Sequence, residues 1–175
     1  VMELFVLGGS TLPNGTEINY NTLRSSITAQ SDAGGGVVSV AAISALDSGA
    51  DEIESFSSRG PTNNGAFKPD VTAIDRVTVT GSGGFGSPFL GTSAAAPHVA
   101  GLAALLLDLN PGLLSGEEGD DPAADRAALR SAITGTATDL GDFGIDYTYG
   151  SGRVNGLLAG QLLAPLASAP SSAAI

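Results

Sequence analysis

The sequence contains no cysteine, so neither a disulfide nor a thiolate metal site can form. Histidine occurs once, at His98, and lysine once, at Lys68. Seven basic residues stand against 18 acidic ones, a net charge of −11. That balance argues against nucleic acid and against an anionic membrane as partners, because both attract basic surfaces. Long apolar runs are scarce as well. The longest, Val99 to Leu107, spans nine residues and includes Gly101, whereas a membrane span needs about 20. The opening "VMELFVLGG" has neither a basic n-region nor a small-residue cleavage site. It reads as a strand, so the chain is expected to begin inside a longer protein.

What is present suits a folded domain. The 175 residues are 42% hydrophobic and 14% charged, with 25 glycines, which is globular rather than disordered composition. Glu3 to Leu7 and Thr16 to Tyr20 read as strands around the turn signal Asn14-Gly15. A turn is the better reading of "NGT" there than a glycosylation acceptor. Val37 to Ile43 is an unalternating apolar run, which suits a strand covered on both faces of a parallel sheet. Val71 to Ala73 and Val77 to Thr80 read as further short strands. A helix is expected from Ser93 to Leu109, stopped by "NPG". A second should begin with Asp121 as N-cap and Pro122 in its first turn. A third should run from Val154 to Leu163. The tail "APLASAPSSAAI" has linker composition. Strands followed by helices indicate an α/β fold.

The stretch "GTSAAAPHVAGLAALLL", Gly91 to Leu107, carries the chemistry. Ser93 sits where an apolar helix begins. Free N–H groups and the positive end of the helix dipole lie at such a position, and both stabilise a developing oxyanion. Pro97 has no N–H, so the Ser93 carbonyl loses its usual helical partner. His98 is a poor base for Ser93. Five residues later it lies roughly 140° around the helix and about 7.5 Å along it. The plainer reading is a buried histidine bonded to nearby backbone.

"GTSAAAPHVAG" resembles the serine motif of the subtilisin-like serine peptidases. "SFSSRGPTNNGAFKPDV", "GFGSPFLGTS" and "TATDLGDFGIDYTYGSGRVNGLLA" resemble further segments of that family, in the family's order. The resemblance covers Gly36 to about Leu163. It implies a three-layer α/β sandwich with a mainly parallel sheet, incomplete here, and Ser93 as nucleophile of a serine endopeptidase acting through an acyl-enzyme. The family's base lies in an "HGT" motif, its orienting aspartate in an aspartate–Ser/Thr–Gly motif and its oxyanion asparagine in a "GN" motif, all normally upstream. No "HGT" occurs here, and no asparagine matches. Residues 36–163 therefore look like the C-terminal half of a peptidase domain. Residues 1–35 look like the end of a β-rich insertion, and 164–175 like a linker. The general base and orienting aspartate would come from upstream sequence, and this chain alone is expected to be inactive. The alternative is a non-catalytic pseudopeptidase serving as a binding module.

The resemblance further implies a polypeptide substrate, an extracellular or cell-envelope location and no organic cofactor. The family carries structural calcium sites, which the resemblance leaves open here and does not map to particular residues, so no metal ligand is assigned. Oligomeric state and substrate preference are left open. Two departures stand out: Ile74, Asp75 and Arg76 occupy the place where the family often has Pro-Gly, and Ala94 stands where Met is usual.

Four stretches imitate other sites. "LDSG", Asp47 to Gly49, imitates the aspartate motif but leads straight into "SFSSRGP" and reads as a surface loop. "GSGGFG", Gly81 to Gly86, matches a dinucleotide fingerprint, yet the helix starts too late for one. "GTSAA" is similar to the nucleophile elbow of α/β hydrolases, but no usable histidine follows Ser93. "GEEGDDPAAD", Gly116 to Asp125, groups five acids without EF-hand spacing and reads as a solvated loop.

Overall fold

A computed structural model of the chain describes residues 26–27, 36–114 and 121–164. The expected strands at Glu3 to Leu7 and Thr16 to Tyr20, the acidic residues 116–120 and the tail from 165 onward lie outside the described residues.

Two strands form a parallel pair, β1 (Val40–Ser44) and β2 (Val71–Asp75), with Ala42 opposite Ala73. Ala41, Ala42, Ile43, Val71 and Ala73 are all buried, as an apolar run without alternation predicts for a sheet covered on both faces. The first strand starts at Val40, three residues later than expected. The Val37 carbonyl explains the shift, because it accepts from Lys68 Nζ at 2.6 Å and Arg130 Nη1 at 3.1 Å rather than joining a ladder. The second strand runs two residues further than expected and stops where Arg76 takes a left-handed φ of 53°.

Val77 to Thr80 forms no strand. Val77 makes one antiparallel bridge to Phe89, with bonds of 3.2 and 2.8 Å, and the residues between loop out through a 3-10 turn at Ser82–Gly84. The sheet edges are occupied instead by loops. Ala42 N donates to Ser57 Oγ at 3.0 Å, and the Ala42 carbonyl accepts from Glu54 N at 2.9 Å. On the far side of β2, Thr72 bonds Gly152 at 2.9 Å and Val154 at 3.0 Å. Gly152 has φ 103°, and a Cβ there would lie 2.1 Å from the Thr138 carbonyl oxygen, so this close crossing requires glycine.

Three helices follow: α1 (Thr92–Leu109), α2 (Pro122–Gly135) and α3 (Gly156–Leu163). Helix α1 packs across both strands, and α3 packs on α1 and α2. The Asp121 side chain caps α2 by accepting from Ala123 N at 3.0 Å and Ala124 N at 3.3 Å, with Pro122 in the first turn as expected. Helix α3 starts two residues later than expected, capped by Asn155, because Val154 is spent on the edge of β2. The core joins Ala42, Val71 and Ala73 of the sheet to Ala95, Val99 and Leu106 of α1, Ala132 and Ile133 of α2 and Ala159 of α3. Most of these side chains are small, so the elements approach closely.

That core is open on one side. An apolar groove of about 800 Å³ runs between β1, α1 and α2, lined by Val38, Val40, Val99, Ala103, Leu129 and Ile133 among others. Leu105 on α1 is 69% exposed. Among the described residues α1 is the one helix long and apolar enough to cross a membrane, by length and composition only. Here it lies on the sheet, with Ala94, Ala95, Val99 and Leu106 buried.

Candidate active site

Ser93 is the second residue of α1 and is exposed. The turn that leads to it is made by Gly91, with φ 99° and ψ 170°, a conformation that side chains rarely adopt. The Gly91 carbonyl accepts from Ala94 N at 2.8 Å and Ala95 N at 3.2 Å. No backbone carbonyl among the described residues accepts from the N–H of Thr92 or of Ser93. Two donors at the positive end of an 18-residue helix are thus left without a backbone acceptor among the described residues. Such an arrangement can hold a developing oxyanion next to a nucleophile.

Among the described residues no base is bonded to the Ser93 hydroxyl. His98 Nδ1 pairs with the Ala94 carbonyl oxygen, 2.7 Å away. The imidazole is therefore bonded to backbone as expected. It is exposed rather than buried, which corrects the sequence reading. The physical reason is the open face of α1: the helix covers the sheet with Ala94, Ala95 and Val99, and His98 lies off that stripe. Among the described residues no side chain is hydrogen-bonded to the Ser93 hydroxyl.

The imitating motifs resolve into local structure. Asp47 accepts from Asp51 N at 3.2 Å and Glu52 N at 3.3 Å and so closes a surface turn. These bonds, led by those to Asp51, hold its carboxyl below the ordinary value. "GSGGFG" forms the 3-10 turn of the loop, well before α1 starts at Thr92. Asp121 of the acidic stretch is a helix cap. Among the described residues no three His, Asp or Glu side chains converge to hold a metal ion.

Asp75 was not legible as a site residue. It ends β2 with no solvent exposure, and its Oδ2 accepts from Gly91 N at 2.8 Å. Its Oδ1 is buried without a partner. Burial pushes its carboxyl above the ordinary value, and the nearby Glu54 charge adds to this. The Gly91 N–H and the Arg76 charge pull the other way. The signal available in the sequence was the acid at the end of an apolar strand, in the place of an expected Pro-Gly.

The family model of the subtilases matches residues 13–152. The chain belongs to the subtilase family. Its match takes in part of the N-terminal segment and ends before α3. This subtilase chain is 46% identical over 65 residues to an extracellular serine protease of Serratia marcescens, a match covering 37% of this chain and 5% of that protein. It is 31% identical over 132 residues to a calcium-dependent protease of Trichormus variabilis, covering 64% of this chain and 18% of that one. Among solved structures, the CspB protease of Clostridium perfringens aligns with a TM-score of 0.54 at 25% identity, over 73% of this chain and 26% of its own. Fervidolysin of Fervidobacterium pennivorans aligns with a TM-score of 0.51 at 28% identity, over 76% and 20%. The chain thus spans a small part of the relatives it matches. Its fold is an incomplete subtilisin-like α/β fold, with helices packed on a parallel sheet.

Proposed function

We propose that the chain is the serine-bearing part of a subtilisin-like endopeptidase and that Ser93 is the nucleophile. The observation that carries this reading is the exposed Ser93 in the first turn of α1, beside two N–H groups with no carbonyl partner. The Ser93 oxygen attacks the peptide carbonyl, and the N–H groups of that turn stabilise the oxyanion. A base takes the Ser93 hydroxyl proton as the oxygen attacks and gives it to the leaving amine, and water, deprotonated by the same base, then releases the acyl group and restores the Ser93 hydroxyl. Because His98 is engaged with the Ala94 carbonyl, the base and its orienting aspartate are assigned to upstream sequence outside this chain. Residues 36–163 are correspondingly read as the C-terminal half of the peptidase domain, 1–35 as the end of a β-rich insertion and 164–175 as a linker.

The substrate is a polypeptide, and the place of action is extracellular or in the cell envelope, as the name of the Serratia relative supports. Calcium appears in the name of the Trichormus relative. Structural calcium is therefore left open, and no residue of the described part is assigned to it.

Hydrolysis of a chromogenic peptide and labelling by a fluorophosphonate test the reading. In the full-length protein, Ser93→Ala is expected to lower the rate by on the order of 10⁴ to 10⁶, a magnitude taken from subtilisin itself. Folding should be unchanged. This chain alone is expected neither to turn over the peptide nor to label quickly. Rapid labelling of Ser93 in the isolated chain would show that its base lies within these 175 residues.

A further inference from the structure

We propose that Asp75 is a positioning residue for Ser93, holding from the end of the sheet the turn that presents the serine hydroxyl. The proposal rests on the reading of Ser93 as nucleophile. Helices α2 and α3 are each capped by a side chain at their own N-terminus, Asp121 and Asn155. Helix α1 has no such cap, because its N-cap residue is Gly91. The missing anchor comes from 16 residues upstream, where Asp75 Oδ2 accepts the Gly91 N–H at 2.8 Å. The Gly91 carbonyl in turn accepts from Ala94 N and Ala95 N. One residue, Gly91, therefore links the end of β2 through its N–H to the first turn of α1 through its carbonyl, two residues before Ser93. Glycine has no side chain with which to hold its own conformation, so an outside contact must restrict it.

The surroundings of Asp75 fit a load applied in one direction. Arg76 follows at once, but it is turned by its left-handed φ of 53°. Its guanidinium bonds both carboxylate oxygens of Glu54, one of them at 3.2 Å. The neighbouring cation is thus spent on a different acid. Asp75 Oδ1 stays buried and unpaired, alone in this respect among the buried side-chain atoms of the described residues. A buried acceptor left unsatisfied works against stability. Keeping the carboxylate there is accounted for by the one bond it does make, to the turn at Gly91.

The test uses the full-length protein with Asp75→Ala, which removes the acceptor, and Asp75→Asn, which keeps an acceptor oxygen in the same place. Misplacing a reacting group by about 1 Å can cost on the order of 10²-fold in rate. Asp75→Ala is therefore expected to lower kcat and the rate of phosphonate labelling by on the order of 10²-fold, with KM within about threefold of the parent value. Asp75→Asn is expected to recover at least about tenfold of that loss. Amide hydrogen exchange at Gly91 should quicken in the alanine variant and not in the asparagine variant. An unchanged kcat in Asp75→Ala overturns the proposal. So does a fall in rate that matches the loss of folded protein, or an equal loss in both variants. If Ser93→Ala retains turnover, the nucleophile reading has failed instead, and exchange at Gly91 still decides whether Asp75 holds the turn.

Discussion

Asp70 and Asp75 stand at opposite ends of the strand β2, and both are buried, yet they are treated very differently. Asp70 is saturated. Its Oδ2 accepts from Ser39 N at 2.6 Å and Lys68 Nζ at 2.7 Å, and its Oδ1 accepts from the Arg130 guanidinium. Lys68 and Arg130 also both bond the Val37 carbonyl. The result is a knot that ties the entry of β1, the entry of β2 and helix α2 together. Asp75 has a single donor, from a glycine, and one orphaned oxygen. Full pairing marks the end of the strand where the fold is fastened. Partial pairing marks the end that holds Gly91, where a carboxyl group is kept at some cost to stability.

The largest expected effect breaks the saturated end. Asp70→Ala leaves the Lys68 ammonium, with its side chain 2% exposed, buried without its counter-charge. Removing one member of a buried pair costs about 3–5 kcal/mol. Urea denaturation should show that loss; a change below about 1 kcal/mol would mean that the knot does not fasten the sheet.

A smaller effect, of opposite sign at neutral pH, is expected at the other end. Burial raises the Asp75 carboxyl in the folded protein above its unfolded value. The folded state therefore holds that proton more tightly. The stability that Asp75 contributes is complete below the unfolded value and is lost as pH rises through the native one. Asp75→Asn cannot ionise and escapes this loss. Its Tm relative to the parent should therefore improve as pH rises above about 4. A difference that stays flat with pH would mean that Asp75 is solvated or paired after all.

The smallest effect separates Ser93's other titratable neighbour from these two. His98 is exposed and bonds one helical carbonyl. His98→Ala should change stability by less than about 0.5 kcal/mol, in the range of surface substitutions. The pH–rate profile of the full-length protein should keep its shape. A lost acidic limb would identify His98 as the base and overturn its assignment as a bystander.

Local chemistry explains which parts were legible in the sequence. The serine motif, the helix beginning at it and the Asp121–Pro122 start of α2 depend on residues within one or two turns of each other. Such signals are complete in a short stretch. Strand limits were less legible. Val37 looks like a strand residue, and only Lys68 and Arg130, which take its carbonyl, remove it from the ladder. Val77 to Thr80 has the composition of a strand, but composition cannot supply a neighbour to pair with, and Val77 found only Phe89. The burial of His98 was misjudged for a related reason. An apolar helix reads as covered all round, whereas α1 buries only the stripe of Ala94, Ala95, Val99 and Leu106, and His98 lies off it.

The sequence by itself determined the family, the nucleophile candidate and the order of the two paired strands and three helices, because each is written in contiguous residues with their own backbone preferences. Only the tertiary structure decided what the charged residues do. Lys68, Asp70 and Arg130 meet across 60 residues between Asp70 and Arg130, and Asp75 reaches Gly91 across 16. Whether a carboxylate is saturated or left with one empty oxygen depends on which distant donors the packed sheet and helices bring to it. No local pattern carries that information, since the desolvation that makes the difference exists only once the chain has closed around the group.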